Sequence, residues 1–572
     1  MPSCGPGKGC EVADSTRAFL KETGHLVING LVDGWCAMRD RGPGQVQFWL
    51  IAFVIGIAAG FAALGFRKGI IGLQSYVYGT NDVMLANHLK TLPWYWVVFV
   101  PIIGGLVVGI ILHLFTPDGR ARAVADVIDG AALKDGRVET REGLASAAAS
   151  LITLSTGGSS GREGPVVHIG GMIATFVSRL INANGITGRD LLGCAVAAAV
   201  SASFNTPIAG ALFALEVVLR HFAVHAFAPI VIASVAGTVV SRLEFGNVTE
   251  FYLPAENVLE FYVELPAFVL LGLLCGIVAV LLMKSIFWAE DMGDHLQRSL
   301  HVPRWLRPAI AGALLGLMAI LFPHVIGVGY ETTSAALTGK LAFWGAVSFA
   351  VVKAVAVVIT MAGRMGGGVF SPSLMLGALT GLSFGYAATS LFPEVSGAET
   401  LYALAGMGAV AAAVLGAPIS TTLIVFELTG DWQTGLAVMV AVSVSTALAS
   451  RMVDMSFFLT QLERRNVHLA AGPQAYLLAT FGVAKVMRPV GSENGASDDD
   501  CWELIEQGVY LDGNSTLEVA MPMFENAGLD YIPVVTLGGE DEPPHLWGAL
   551  YQVDALKTYN QALAETAKEE HS

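Results

Sequence analysis

Arg162 and Glu163 stand side by side in GGSSGREGPVVHIGG, residues 157–171, among six glycines and with apolar sequence on both sides. An ionised side chain in membrane-embedded backbone costs about 3 kcal/mol or more, so the pair calls for a task. Pro165 suits the first turn of a helix, where its missing N–H does no harm. A helix beginning near Glu163 would present its first N–H groups and the positive end of its dipole to whatever lies ahead. Gly157, Gly158, Gly161 and Gly164 let the backbone approach a ligand closely. Such a construction favours an anion. Glu163 is itself a tethered anion that occupies the site when ionised and vacates it when protonated, which makes it a gate, a proton carrier or both. The plainer alternative is that Glu163 caps its helix and pairs with Arg162. His168 would suit a proton shuttle, but a lone helix histidine is more often a hydrogen-bonded structural residue and receives no role here.

The same glycines fit G-x-S-x-G, the nucleophile elbow of hydrolases, with Ser159 central and His168 or His113 as nominal base. The elbow needs a strand before its serine. EGLASAAASLITLS, 142–155, reads instead as a helix, which speaks against an intramembrane serine hydrolase.

The elements that position these residues follow from composition. The chain has 572 residues, 54% hydrophobic and 14% charged, against about 25% charged in ordinary soluble proteins. FWLIAFVIGIAAGFAALGF (48–66) and WYWVVFVPIIGGLVVGIILHLF (94–115) are long enough to cross a bilayer core, which takes roughly 20 residues. FVLLGLLCGIVAVLLM (268–283) and GLAVMVAVSVSTALAS (435–450) are shorter, as in helices that tilt or stop halfway. The expected class is an all-α polytopic membrane protein. Lys8, Arg17, Lys21, Arg39 and Arg41 precede the first span, and Arg464 and Arg465 follow the last. The positive-inside rule then puts both termini in the cytoplasm, with no signal peptide at the start. Of six cysteines only Cys4 and Cys10 are loosely paired in sequence, Cys194 and Cys275 reading as small core residues, so no metal site is expected. The net charge of −15 owes much to the tail and indicates no nucleic-acid partner.

Two signatures occur twice in the apolar region. GREGPVVHIG (161–170) and GVFSPSLMLG (368–377) share G-xxx-P-xxxx-G, while PIAGALFALE (207–216) and PISTTLIVFE (418–427) share P-I-xxx-L-xxx-E. The prolines of each pair lie 42 residues apart in the first half and 46 in the second. Matched order implies a duplicated half, and Gly/Pro-interrupted segments at corresponding positions of two halves point to a transporter binding site between them. Glu216 and Glu427, which close the second signature, fall at helix ends.

With GREGP, GGVFSP and SFNTPIAGALFALE in view, residues 47–467 resemble the CLC family of chloride channels and chloride/proton exchangers. The resemblance implies a homodimer in the cell membrane, inverted repeats with broken and re-entrant helices, and one anion pathway per subunit. It makes Glu163 the gating glutamate. Gly161, Arg162 and Gly164 from the first loop, and Gly368, Val369 and Phe370 from the second, become anion-binding positions. The family's first anion motif, Gly-Ser/Pro-Gly-Ile/Val-Pro-Glu, falls here on ARAVAD (121–126), so Arg122 stands where a serine or proline faces the anion. Val217 stands where many exchangers carry a proton-relay glutamate, and Phe458 falls on the position of a central tyrosine. Val217 removes a titratable group from the inner proton path, which favours channel-like or uncoupled transport of anion, chloride foremost, over chloride/proton antiport. Arg122 either faces the pathway, where its planar fork suits larger oxyanions, or turns to the cytoplasmic mouth and only attracts anions.

Residues 468–572 regain charges, Asn, Gly and Pro and read as a separate cytoplasmic domain. GNSTLEVAMPMFENAGLDYIPVV (513–535) and LWGALYQVDALKTY (546–559) resemble a CBS module, a small α/β unit, with Leu517 and Met521 facing its core. VAKVM (483–487) resembles the start of one such unit, interrupted by the acidic GASDDDCWE. In the family such modules regulate and can bind adenine nucleotides; no other cofactor is expected.

Overall fold

Glycine, proline and asparagine set the punctuation of this fold. The computed structural model describes residues 43–80, 84–222, 224–246, 264–394, 396–465, 467, 478, 481–492, 495–513, 515–536 and 545–570. The loose Cys4–Cys10 pair and the basic residues up to Arg41 lie outside these described residues.

In the first half, helix Gly185–Phe204 ends on Asn205 in the left-handed conformation (φ 63°), and a short helix starts at Pro207. In the second half, helix Glu399–Leu415 ends on left-handed Gly416 (φ 70°), and a short helix starts at Pro418. The re-entrant helices match in the same way. Glu163–Leu180 begins behind Arg162 (φ −85°, ψ −16°), Phe370–Leu391 behind Val369 (φ −94°, ψ −5°), and each carries its proline in the first turn. The duplicated signatures are thus duplicated backbone. The fold is an all-α membrane protein of inverted repeats with broken helices.

Eight helices among the described residues are long and apolar enough to cross a membrane. Run 94–115 is the helix Trp94–Phe115 itself, while the other three apolar runs lie within helices longer than themselves, Gln45–Tyr78, Leu265–Ser299 and Trp432–Met452. Polar ends carry these helices past the hydrocarbon; the tail of Leu265–Ser299, for example, holds Asp291, Asp294 and Arg298. Small residues permit backbone contact between helices in lipid, where packing replaces the hydrophobic drive. A Cβ on Gly377 would lie 2.3 Å from the carbonyl of Gly406, so helices Phe370–Leu391 and Glu399–Leu415 meet there with no side chain between them.

The signature glutamates tie the halves together. Glu216 accepts from the N–H groups of Ile419 (2.9 Å) and Ser420 (2.8 Å) at the start of the second short helix. Glu427 accepts from those of Ile208 (3.0 Å) and Ala209 (2.7 Å) at the start of the first. Each half therefore caps a helix of the other, which satisfies orphan donors that lipid cannot.

After the membrane region, β1 (Arg488–Pro489), β2 (Leu511–Asp512), β3 (Tyr531–Thr536) and β4 (His545–Tyr551) form a sheet in the order β1-β4-β3-β2, with β2 and β3 parallel and the other pairs antiparallel. Leu517, Phe524, Ile532, Val534 and Leu550 fill its core, and Met521 packs against them. The acidic stretch is a helix, Asp498–Glu506, whose N-cap Ser497 accepts from the Asp500 N–H and whose first turn suits its three aspartates.

Candidate functional site: the Glu163 cavity

Helix Thr140–Thr156 ends at Gly157 (φ 137°), and the chain then runs through GGSSG into the membrane interior. A helix rather than a strand precedes Ser159, so the elbow geometry is absent there. Ser159 is buried, and its N–H donates to Thr360 Oγ1 (3.0 Å). The loop is bonded to its counterpart from the second half, Ser160 Oγ donating to the Gly366 carbonyl (3.2 Å). Gly161 N–H donates to the carbonyl of Gly368 (2.6 Å), and Gly368 N–H donates back to that of Gly161 (2.8 Å). A Cβ on Gly161 would stand 2.5 Å from Glu163 Oε2, so only glycine leaves the carboxylate its place.

Glu163, 2% exposed, opens its helix beside this two-way bond. Ser371, in the first turn of the other re-entrant helix, donates its hydroxyl to Glu163 Oε1 at 2.5 Å. The carboxylate of one half is thus held at the amide end of a helix from the other. Such an end suits a carboxylate or an inorganic anion, because helix-start N–H groups and the dipole favour negative charge.

The cavity next to Glu163 has a volume of about 30 Å³. About 10–15 Å³ on this measure holds one water, so the space suits one or two water-sized particles or a small bare ion. Ala123 and Val124 line it from the ARAVAD segment, Gly164 from the first re-entrant helix, and Gly367, Gly368, Val369 and Phe370 from the second loop. Phe457, Phe458 and Gln461 close it from the last membrane helix, Phe457–Glu463. The Phe370 ring lies 4.9 Å from Phe204 and 5.8 Å from Phe213, centroid to centroid, so an aromatic cluster excludes water from that side.

Of the positions singled out in the sequence, the structure brings Glu163, Gly164, Gly368, Val369, Phe370 and Phe458 together on this cavity, with Gly161 bonded to Gly368 behind them. Arg162 is buried, donates to the Ser203 carbonyl (3.1 Å) and lies over the Tyr330 ring (5.0 Å). Val217 is buried in a π-helical turn, Ala214–Leu219, and is not among the lining residues. His168 is buried farther along the Glu163 helix and does not line the cavity.

Arg122 is not brought there. Its backbone N–H donates to Ser146 Oγ (2.8 Å), and its guanidinium turns toward four carboxylates: Asp118 at 2.9 Å, Glu139 at 3.4 Å, Asp126 at 3.7 Å, and Glu142, to which it is directly hydrogen-bonded. Burial works against its charge, but Asp126, Asp118 and Glu142 together raise it above the ordinary guanidinium value. An arginine so surrounded is neutralised locally and offers little to a passing anion. The guanidinium does not line the Glu163 cavity. The physical reason is the density of acid in the two adjoining segments, 118–126 and 139–142.

Ser371 and Gln461 are functional candidates that sequence reasoning missed. Ser371 stands in GGVFSP at the position matching Gly164, so the repeat offered a signal: a hydroxyl where the first copy has none. Gln461 lies one turn beyond Phe458 and could have been found by extending helical spacing from that residue.

Two re-entrant helices from inverted repeats, aimed at one cavity and sharing a carboxylate, define an anion-transport fold of the CLC type. A profile of voltage gated chloride channels matches residues 104–450. The chain is 31% identical over 396 residues to a putative chloride channel protein, ClcB-like, of Ralstonia nicotianae, covering 68% of this chain and 91% of that one. It is 27% identical over 403 residues to the voltage-gated ClC-type chloride channel ClcB of Escherichia coli (70% and 95% covered). With the chloride channel protein CLC-f of Arabidopsis thaliana it shares 29% over 437 residues, covering 71% of this chain and 54% of the plant protein. Among solved structures, a slow cyanobacterial Cl−/H+ antiporter matches with TM-score 0.66 at 19% identity, covering 74% of this chain and 98% of that one. A eukaryotic CLC transporter matches with TM-score 0.64 at 15% identity (89% and 98% covered). The chain belongs to the CLC family of voltage gated chloride channels: it is a multi-pass membrane anion transporter, in a family of channels and transporters rather than enzymes.

Proposed function

We propose that this chain carries chloride through the cavity beside Glu163 in a channel-like or uncoupled manner, with the Glu163 carboxylate as gate. The hydrogen bond from Ser371 to Glu163 carries this reading. When ionised, Glu163 fills the amide end of the second re-entrant helix and competes with the transported anion for it. When protonated, the side chain loses most of its attraction to that dipole and leaves the place to the anion. The small cavity favours a halide over a larger oxyanion, and the engagement of Arg122 by carboxylates removes the feature that suggested one. Val217 supports the absence of coupling, since an apolar side chain cannot relay a proton. The second reading, proton-coupled exchange, draws on the cyanobacterial neighbour, a Cl−/H+ antiporter. Proteoliposomes loaded with chloride decide between them when anion release and proton movement are followed together. Release without proton uptake supports the proposal, and chloride-driven proton uptake establishes exchange.

We further infer a homodimer in the cell membrane with both termini in the cytoplasm. Ile208 and Ile419, 56% and 47% exposed on helices too short to span a bilayer, support a second copy at that face. The small α/β unit after the last membrane helix is read as a CBS-like regulatory domain, and adenine nucleotide is the ligand to test on it.

A further inference from the structure

Away from the Glu163 cavity, on the face where the last membrane helix ends, six arginines gather around an open cavity of about 500 Å³. Arg120, Arg364 and Arg465 are half-buried, and Arg298, Arg304 and Arg464 are exposed. Asp118 and Asp294 are the acidic residues on its wall. Asp294 is shared by three guanidiniums: Arg364 at 2.8 Å, Arg120 at 4.0 Å, and Arg307, to which it is directly hydrogen-bonded. Glu290 also interacts with these three guanidiniums, so two carboxylates face three cations. Burial, and then the nearest cation, hold both Arg120 and Arg364 below the ordinary guanidinium value. Arg464 and Arg465 do have partners of their own, Asp291 and Asp126.

A second, apolar groove of about 300 Å³ adjoins this cavity. Trp288, Met292, Leu296, Ile310, Leu314 and Val358 are among its walls. Gln297 lines both spaces, and Arg307, on the groove, donates to Gln297 Oε1 (3.2 Å) as well as to Asp294 on the cavity wall. Trp288 and Trp305, 64% and 36% exposed, flank this junction in sequence, as expected of aromatic residues at headgroup level.

We propose that the two spaces form one site for an anionic phospholipid, its phosphate headgroup among the arginines and an acyl chain in the groove. Arginine forks match phosphate oxygens in pairs, and the excess of cations over Asp294 and Glu290 supplies the charge preference. A soluble phosphate would use the arginines and leave the groove unused; a neutral lipid would use the groove and leave the cations uncompensated. The headgroup site touches both segments that wall the transport cavity. Arg364 lies two residues before Gly366 in the second loop, and its Nη1 donates to the carbonyl of Asp118 (3.2 Å), in the segment leading to Ala123. Bound lipid therefore braces the two loops from the same side. This proposal is independent of whether transport is coupled to protons.

The test is native mass spectrometry of the full chain released from vesicles of phosphatidylcholine mixed with phosphatidylglycerol, with thermal unfolding as a check of fold. Phosphatidylglycerol should stay bound in preference to phosphatidylcholine. The double substitution Arg298→Gln with Arg304→Gln, at exposed positions, should lower that retention by about 25-fold, since each basic residue near an anionic lipid surface adds of the order of a fivefold gain. Ile310→Trp, which fills the groove and leaves every arginine in place, should lower it as well. Inorganic phosphate and glycerol 3-phosphate, added free, should raise the unfolding temperature much less than phosphatidylglycerol does. Equal retention of phosphatidylcholine overturns the proposal. So does stabilisation by free phosphate that equals that by lipid and is indifferent to Ile310→Trp, which would assign the arginines to a soluble phosphate.

Discussion

Ser371 and Glu163 belong to opposite halves of the molecule and are joined by a 2.5 Å hydrogen bond from the serine hydroxyl to the carboxylate. The donor sits in the first turn of one re-entrant helix and the acceptor in the first turn of the other. The bond holds the Glu163 carboxylate at the amide end of the second re-entrant helix, and in the function proposed above it latches the gate there.

Ser371→Ala removes the latch and keeps the helix. A hydrogen bond to a charged group contributes about 1.5–3 kcal/mol, so the closed arrangement should weaken by about tenfold or more. Chloride efflux from proteoliposomes near neutral pH should rise accordingly. Efflux equal to wild type would show that the bond does not hold the gate.

Glu163→Gln has the shape of the protonated acid at every pH. Wild-type flux should increase as the pH falls through the titration of Glu163, because the neutral side chain leaves the amide end to chloride. The variant should lose that dependence and stay at its own constant level. A pH profile that survives the substitution would place the titrating gate elsewhere.

Arg122→Gln leaves four neighbouring carboxylates without their shared cation. The partners are partly solvated, so the loss should be about 1–3 kcal/mol, read as a lower unfolding temperature. Chloride-to-nitrate selectivity should stay unchanged, since the guanidinium does not line the cavity. A shift in selectivity would bring Arg122 back to the pathway.

Glu216→Ala and Glu427→Ala each uncap a helix of the other half. Loss of a helix cap costs about 1 kcal/mol, and the two substitutions should lower the unfolding temperature by similar amounts while purified protein retains chloride flux. A large drop from one and none from the other would contradict the reciprocal arrangement.

Gln461→Leu removes a polar side chain from the wall that Phe458 shares. With no tyrosine hydroxyl at that position, the carboxamide is the donor the last membrane helix has to offer. Chloride should bind several-fold more weakly by titration calorimetry, and unchanged affinity would take Gln461 out of the site.

Much of this was legible in the chain because it is written twice. Pro165 and Pro372, and Pro207 and Pro418, each sit in the first turn of a helix, where proline's fixed φ and missing donor fit. Glu163 was conspicuous because charge is costly in lipid. The direction of Arg122 was not legible: it depends on Glu139 and Glu142, which follow at a distance that only the folded loop closes. The Ser371–Glu163 bond joins residues 208 positions apart, and no local pattern reports such a pair. Helix lengths were underread for a similar reason, because polar ends that leave the bilayer carry no apolar signal.

The exchange of caps between Glu216 and Glu427 bears on how such a molecule could have arisen. Neither half, taken by itself, supplies the acceptor for its own short helix. The same contact is made in both directions across the seam, so the seam inside the present chain has the form of an isologous interface between two subunits.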